Sequence, residues 1–104
     1  MKLIAAKYGV TVSGTALTLT DAAPNGFAFD GAEVVVADVL LLQVLSEGVR
    51  ERHDGTAPAT DTGVLHTTAG DGLWPLVGNE LIKKFQAIRN GASDATVNII
   101  LYRW

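Results

Sequence analysis

Short runs of β-branched, aromatic and aliphatic residues, each closed off by Gly, Asn, Asp or Pro, recur along the whole chain. Runs of that length punctuated by turn residues read as an all-β sandwich or barrel. "TALTLT" alternates, with Ala16, Thr18 and Thr20 on one face and Thr15, Leu17 and Leu19 on the other. "AAPNG" then breaks it, because Pro24 removes a backbone donor and Gly26 tolerates positive φ. Val34 to Leu45 is apolar on both faces of a would-be strand, the pattern of a strand enclosed in a core, with Asp38 marking a bend or bulge. "SEG" at Ser46 to Gly48 turns the chain, and "VRERH" runs back. Gly63 to Thr68 makes another strand, "AGDG" a tight turn, and "ATVNIILYRW" the last and clearest strand.

One segment carries two patterns. "NELIKKFQAIRNG" places Leu81, Ile82, Phe85 and Ile88 at helical spacing, with Asn79 as an N-cap and Gly91 as the residue after a helix. "NGASD" is also an Asn-Gly turn signal, and the strand that follows needs an antiparallel partner. The reading is a helical turn near 79–83 followed by a strand to Arg89. The expected fold is a single small β-sandwich, jelly-roll or Ig-like, spanning residues 1–104.

"RERHDGTAPATDTG", Arg50 to Gly63, concentrates the residues that resemble chemistry. As a strand, "VRERH" sends Arg50 and Arg52 to one face and Val49, Glu51 and His53 to the other. Asp54 bonds the amides ahead of it, Gly55 accepts positive φ, Pro58 fixes its own φ, and Gly63 admits the next strand. These four read as structural turn residues. His53 and Asp54 are adjacent, which suits neither a catalytic dyad nor shared metal ligation. His53 and His66 could meet across a hairpin, but two imidazoles without a third ligand make a poor zinc site. Asp54, Asp61 and Asp71 do not follow calcium-loop spacing. Ser13, Ser46 and Ser93 lie outside any Gly-x-Ser-x-Gly elbow, and "GDGLWP" lacks the third glycine of a phosphate loop. The expectation is therefore a protein that is not an enzyme, with no catalytic residues, cofactor or metal.

Composition sharpens this. A chain of 104 residues makes one domain, and the absence of cysteine excludes disulfides and thiolate metal sites. The charged fraction is 18%, against about 25% in ordinary soluble domains. A composition so low in charge fits a domain partly covered by something else and, equally, a somewhat apolar monomer. Net charge is −3, and Lys83, Lys84 and Arg89 are too sparse to follow a phosphate backbone, so no nucleic-acid partner is expected. Lys7 cuts short the apolar start, and no stretch reaches the length of a secretory or membrane-spanning segment. The expectation is a soluble protein with no membrane partner.

The stretches "GVRERHDGTAPATDTGVLH" and "GNELIKKFQAIRNGASDATVNIILYR" together resemble a pattern in small virion proteins of tailed bacteriophages. In that pattern an arginine-bearing strand, here Arg50 and Arg52, runs into Asp-Gly-Thr-x-Pro, here Asp54 to Pro58. A glycine precedes a short strand (Gly63 to Leu65), and an aromatic-isoleucine segment (Phe85, Ile88) leads to the last strand (Val97 to Tyr102). The resemblance covers roughly the C-terminal half of the chain. It implies a β-sandwich on the capsid exterior, made in the host bacterial cytoplasm. Its role would be that of a decoration (cement) protein bound to the major capsid protein, as a dimer or trimer. Trp74 and Trp104, with Arg50 and Arg52, are the candidate interface residues, since Trp and Arg are enriched at hot spots. The alternatives are another virion position, at the neck, tail or fibre base, and a carbohydrate-binding β-sandwich module. The latter would be expected to carry a tyrosine before the Asp-Gly turn, where this chain has Arg-Glu-Arg-His.

Overall fold

The structure is a computed structural model that describes residues 1–68 and 72–104. The turn expected at "AGDG" and the side chain of Asp71 thus fall mostly outside the described residues. In chain order the elements are β1 (Lys2–Val12), β2 (Leu17–Thr18), α1 (Gly31–Val36), β3 (Val39–Ser46) and β4 (Gly48–Arg52). They continue with β5 (Val64–Thr67), β6 (Trp74–Val77), α2 (Asn79–Ile82), β7 (Gln86–Arg89) and β8 (Ala95–Arg103).

Two antiparallel four-stranded sheets result, ordered β1-β8-β3-β6 and β2-β7-β4-β5. The pairs β4–β5, β3–β6, β2–β7 and β1–β8 are nested one outside another. The chain is thus one long hairpin rolled into a sandwich, which is the jelly-roll arrangement. The expected β-sandwich is present, and this nesting selects jelly-roll over Ig-like. Its innermost connection is residues 53–63, the stretch richest in polar side chains.

Alternation builds the core. On β8, Ala95, Val97, Ile99 and Leu101 are buried, while the residues between them lie on the other face and are only half-buried. They meet Leu40, Leu42 and Val44 of β3, Val49 of β4 and Ala87 of β7, with Phe27, Phe29, Ile82 and Phe85 filling the ends. Leu17 and Leu19, expected on one face of an alternating strand, both lie in the core. Only Leu17 and Thr18 pair as strand, however. Asp21 Oδ2 accepts from the Thr18 amide at 2.9 Å and turns the chain before the run can extend.

Residues 34–36 correct the sequence reading, because they form the end of α1 and the strand begins only at Val39. Asp30 and Glu33 carry the start signal of a helix: the Glu33 carboxylate accepts from the Asp30 amide at 2.9 Å, half of a capping box. That local cap overrides the β-propensity of three valines. The helical turn expected near 79–83 is present as α2, followed by β7 to Arg89. Its N-cap is Gly78 (φ 115°) in place of Asn79. The Asn79 amide instead donates to the carbonyls of Val34 and Ala37, at 2.9 and 2.8 Å, and ties α2 to α1.

Candidate functional site

The β4–β5 connection is a tight, internally bonded turn. Gly55 has φ 87°, and Asp54 Oδ1 accepts from the Thr56 amide at 3.1 Å. Arg52 grips the Asp54 carboxylate through Nε and Nη2. That pairing, helped by the Thr56 amide, holds the Asp54 carboxyl down at about 2. Pro58 is buried. Gly63 has φ 131°, and a Cβ there would lie 2.9 Å from the Glu51 carbonyl, so a side chain would be both strained and crowded. Arg50 spans the loop, donating from Nε to the Thr60 carbonyl and Asn90 Oδ1 and from Nη1 to the Gly63 carbonyl. The two arginines, candidates for an interface, are therefore occupied within the chain.

On the inner side of the same hairpin stands a group that the alternation of "VRERH" located but whose chemistry sequence reasoning passed over. Glu51 is fully buried. Its Oε2 lies 3.0 Å from His53 Nδ1, and its Oε1 lies 3.5 Å from Nε2 of the buried His66. The two histidines, whose sequence positions allow them to meet across a hairpin, flank a common carboxylate. The indole of Trp74, from the opposite sheet, rests with its ring centre 4.4 Å from that of His66 and 6.2 Å from that of His53. Trp74 is half-buried and packs against the core. An open pocket of about 220 Å³ adjoins the cluster, lined by Glu51, Arg52, His53, Asp54, Gly63 and Val64. Among the described residues, no three His, Asp or Glu side chains are arranged to hold a metal ion. The signal available in the sequence was a glutamate on the inward face of an alternating strand, where an apolar residue belongs.

The outer face of the sheet β1-β8-β3-β6 has a different character. Cross-strand partners share a face, so register defines its rows. One row runs Leu3, Tyr102, Val39, Val77, and the next Ala6, Ile100, Leu41, Pro75. Beyond them Asn98 Nδ2 donates to Gln43 Oε1 at 3.1 Å, and Asn98 Oδ1 accepts from the Gly9 amide at 2.9 Å. No charged side chain stands in these rows. Leu3 and Val77 are 61% and 55% exposed, and Trp104, beyond Tyr102, is 70% exposed. Trp104 is anchored through its backbone amide to Asp38 Oδ2 at 2.9 Å, leaving the indole in solvent. The outer face of an antiparallel sheet normally alternates to polar residues where it meets water. Here its first two rows stay uncharged across four strands.

Among the described residues, no helix is long and apolar enough to cross a membrane. No family model, curated protein or solved structure matches the chain.

Proposed function

We propose that the protein is a structural component of a tailed-phage virion that decorates the capsid, docking on the major capsid protein through the outer face of the β1-β8-β3-β6 sheet. The observation that carries this reading is the uncharged pair of rows from Leu3 to Val77 and from Ala6 to Pro75. Contiguous apolar patches on small proteins mark interaction surfaces, and charge is depleted at the centres of such interfaces. Trp104 at the rim adds an exposed indole of the type that anchors interfaces. The resemblance of Arg50 to Pro58 and of Val97 to Tyr102 to small virion proteins supplies the partner class. The jelly roll is in keeping with it, being a common architecture of viral and lectin domains, although fold alone does not assign function.

Adhesion is the mechanism. Many copies occupy symmetry-related sites and stabilise the closed particle by mass action. The test is to add purified protein to particles that lack it. Binding should saturate at a stoichiometry set by capsid symmetry and raise the temperature at which DNA is released. Labelled protein confined to the portal vertex or tail would instead favour a neck or tail component. Retention on immobilised polysaccharide, with no particle binding, would favour a carbohydrate module.

A further inference from the structure

The two sheets end on β1, β6, β2 and β5, and these edges are unequal. β1 has 11 residues, β6 and β5 have four each, and β2 has two. β6 also carries Pro75, which has no N–H to offer. Among the described residues the β1 backbone bonds only to β8, through the ladder and from the Gly9 amide to Asn98 Oδ1. Its other side is a row of unused donors and acceptors, the template on which a further strand pairs.

An open cleft of about 400 Å³ lies beside this edge, with Lys7, Tyr8 and Gly9 from β1 and Pro24, Gly26 and Phe27 from the loop after β2. The loop is pinned: the Ala28 amide donates to the Asp21 carbonyl at 2.7 Å, and the Phe29 amide to the Leu19 carbonyl at 3.0 Å. A Cβ at Gly26 would run into the carbonyl oxygens of Asp21 and Ala22. Ala28 sits at φ 54°, a left-handed conformation that a non-glycine residue keeps only where its surroundings hold it. The cleft is thus preformed. Lys7 supplies its charge. That side chain is half-buried with Nζ 5.6 Å from the centre of the Phe29 ring, and no carboxylate among the described residues pairs with it. The chain has 11 Asp and Glu against 8 Lys and Arg, yet none of the residues lining the cleft is acidic. A partly desolvated ammonium without a counter-charge favours an anion beside it.

We propose that β1 accepts an extended segment of a partner polypeptide, whose backbone pairs along Ala5 to Lys7 and whose aspartate or glutamate side chain enters the cleft to meet Lys7. In strand addition of this kind main-chain bonds supply affinity and a side-chain pocket supplies specificity. Register narrows the ladder. β1 steps out of register with β8 between Leu3 and Ala5 and again between Lys7 and Val10, which leaves Ala5, Ala6 and Lys7 as the regular middle. Charge chooses the occupant. β1 holds Lys2 and Lys7 and no acid, so a second copy pairing edge to edge would set lysines against lysines. An acidic strand meets the opposite condition, and the same lysines that repel a copy select it.

NMR titration of the isotopically labelled full chain with short capped Thr/Val peptides, each carrying a single Glu at a different position, tests this. The best of them should shift the amides of Ala5 to Tyr8 and of the 23–28 loop, and should slow hydrogen exchange along Ala5 to Lys7. Its Gln counterpart should bind at least about tenfold more weakly, because a charge-assisted hydrogen bond is lost. Lys7→Arg should keep that preference and Lys7→Met should abolish it. The proposal is overturned if no peptide shifts these amides or if Glu and Gln peptides bind alike. It is equally overturned if acetyl-glutamate amide alone binds as tightly as the peptide, since the cleft would then hold a small carboxylate without a strand. The comparison of Glu and Gln peptides on the wild-type chain decides the matter whether or not a variant folds. Virus particles play no part in it, so this result and the docking role stand or fall separately.

Discussion

Arg52 holds Asp54 two residues further on with a pair of hydrogen bonds, from Nε and from Nη2, and thereby locks the first corner of the innermost turn. The pairing keeps Asp54 ionised down to about 2, against an ordinary value of 3.8. A depressed carboxyl contributes stability above its unfolded value and loses it as pH falls through its folded one. The Asp54 contribution should accordingly be whole above about pH 4 and fade toward about pH 2. In Arg52→Gln the carboxyl resonance of Asp54 should titrate at higher pH than in wild type, retaining the lowering given by the backbone amides of Thr56 and Asp54. An unchanged midpoint would mean that the pairing does not persist in solution.

Gly55 follows at φ 87°, and a Cβ there would find only Lys84 Cδ, 4.0 Å away. Substitution is therefore limited by the backbone and not by a clash. Gly55→Val should cost about 1–3 kcal/mol through the strained conformation alone. Gly55→Asn, which tolerates the left-handed region, should cost clearly less. Equilibrium urea unfolding of the two variants decides it, and equal losses would point to some other cause.

These turn residues were legible because their chemistry is local. Asp54, Gly55, Pro58 and Gly63 each answer a backbone need that neighbouring residues define. The division of "VRERH" into two faces follows from strand period alone. The Glu51 cluster was not legible, since His66 and Trp74 reach it only through nested pairing of strands far apart in sequence. The valines at 34–36 belong to a run apolar on both faces, which reads as an enclosed strand, and the Asp30–Glu33 cap makes them helix instead. Trp74 is a candidate interface residue because tryptophan is enriched at hot spots. Its place on β6, facing His66, makes it a contact between the sheets. The uncharged outer face was hidden for a related reason: Leu3, Tyr102, Val39 and Val77 become one row only once β8 lies between β1 and β3.

The shared core should respond to truncation independently of any partner. Leu42 is 1% exposed and belongs to the cluster formed by both sheets. Leu42→Ala should lower folding stability by about 2–5 kcal/mol, the sum of lost transfer energy and a residual cavity. Denaturant unfolding with an unchanged m-value would identify this as a stability effect. A loss below about 1 kcal/mol would mean that the two sheets collapse around the missing side chain.

The outer face should respond in the opposite way. Leu41 and Ile100 stand side by side at the middle of its second row, half-buried in the isolated chain. A lysine at either position can extend its ammonium to water, so the fold should lose no more than about 1 kcal/mol, the span of β-propensity effects. Docked against a capsid subunit, the same ammonium would be buried without a partner, which is strongly unfavourable. Leu41→Lys and Ile100→Lys should each weaken particle binding at least about tenfold, equivalent to about 1.4 kcal/mol. Ser93→Lys, on the exposed turn before β8, serves as a control of equal charge and should bind as wild type does. Co-sedimentation with particles lacking the protein measures all three. Undiminished binding by both face variants would remove this sheet from the interface and leave the docking surface to be sought elsewhere on the domain.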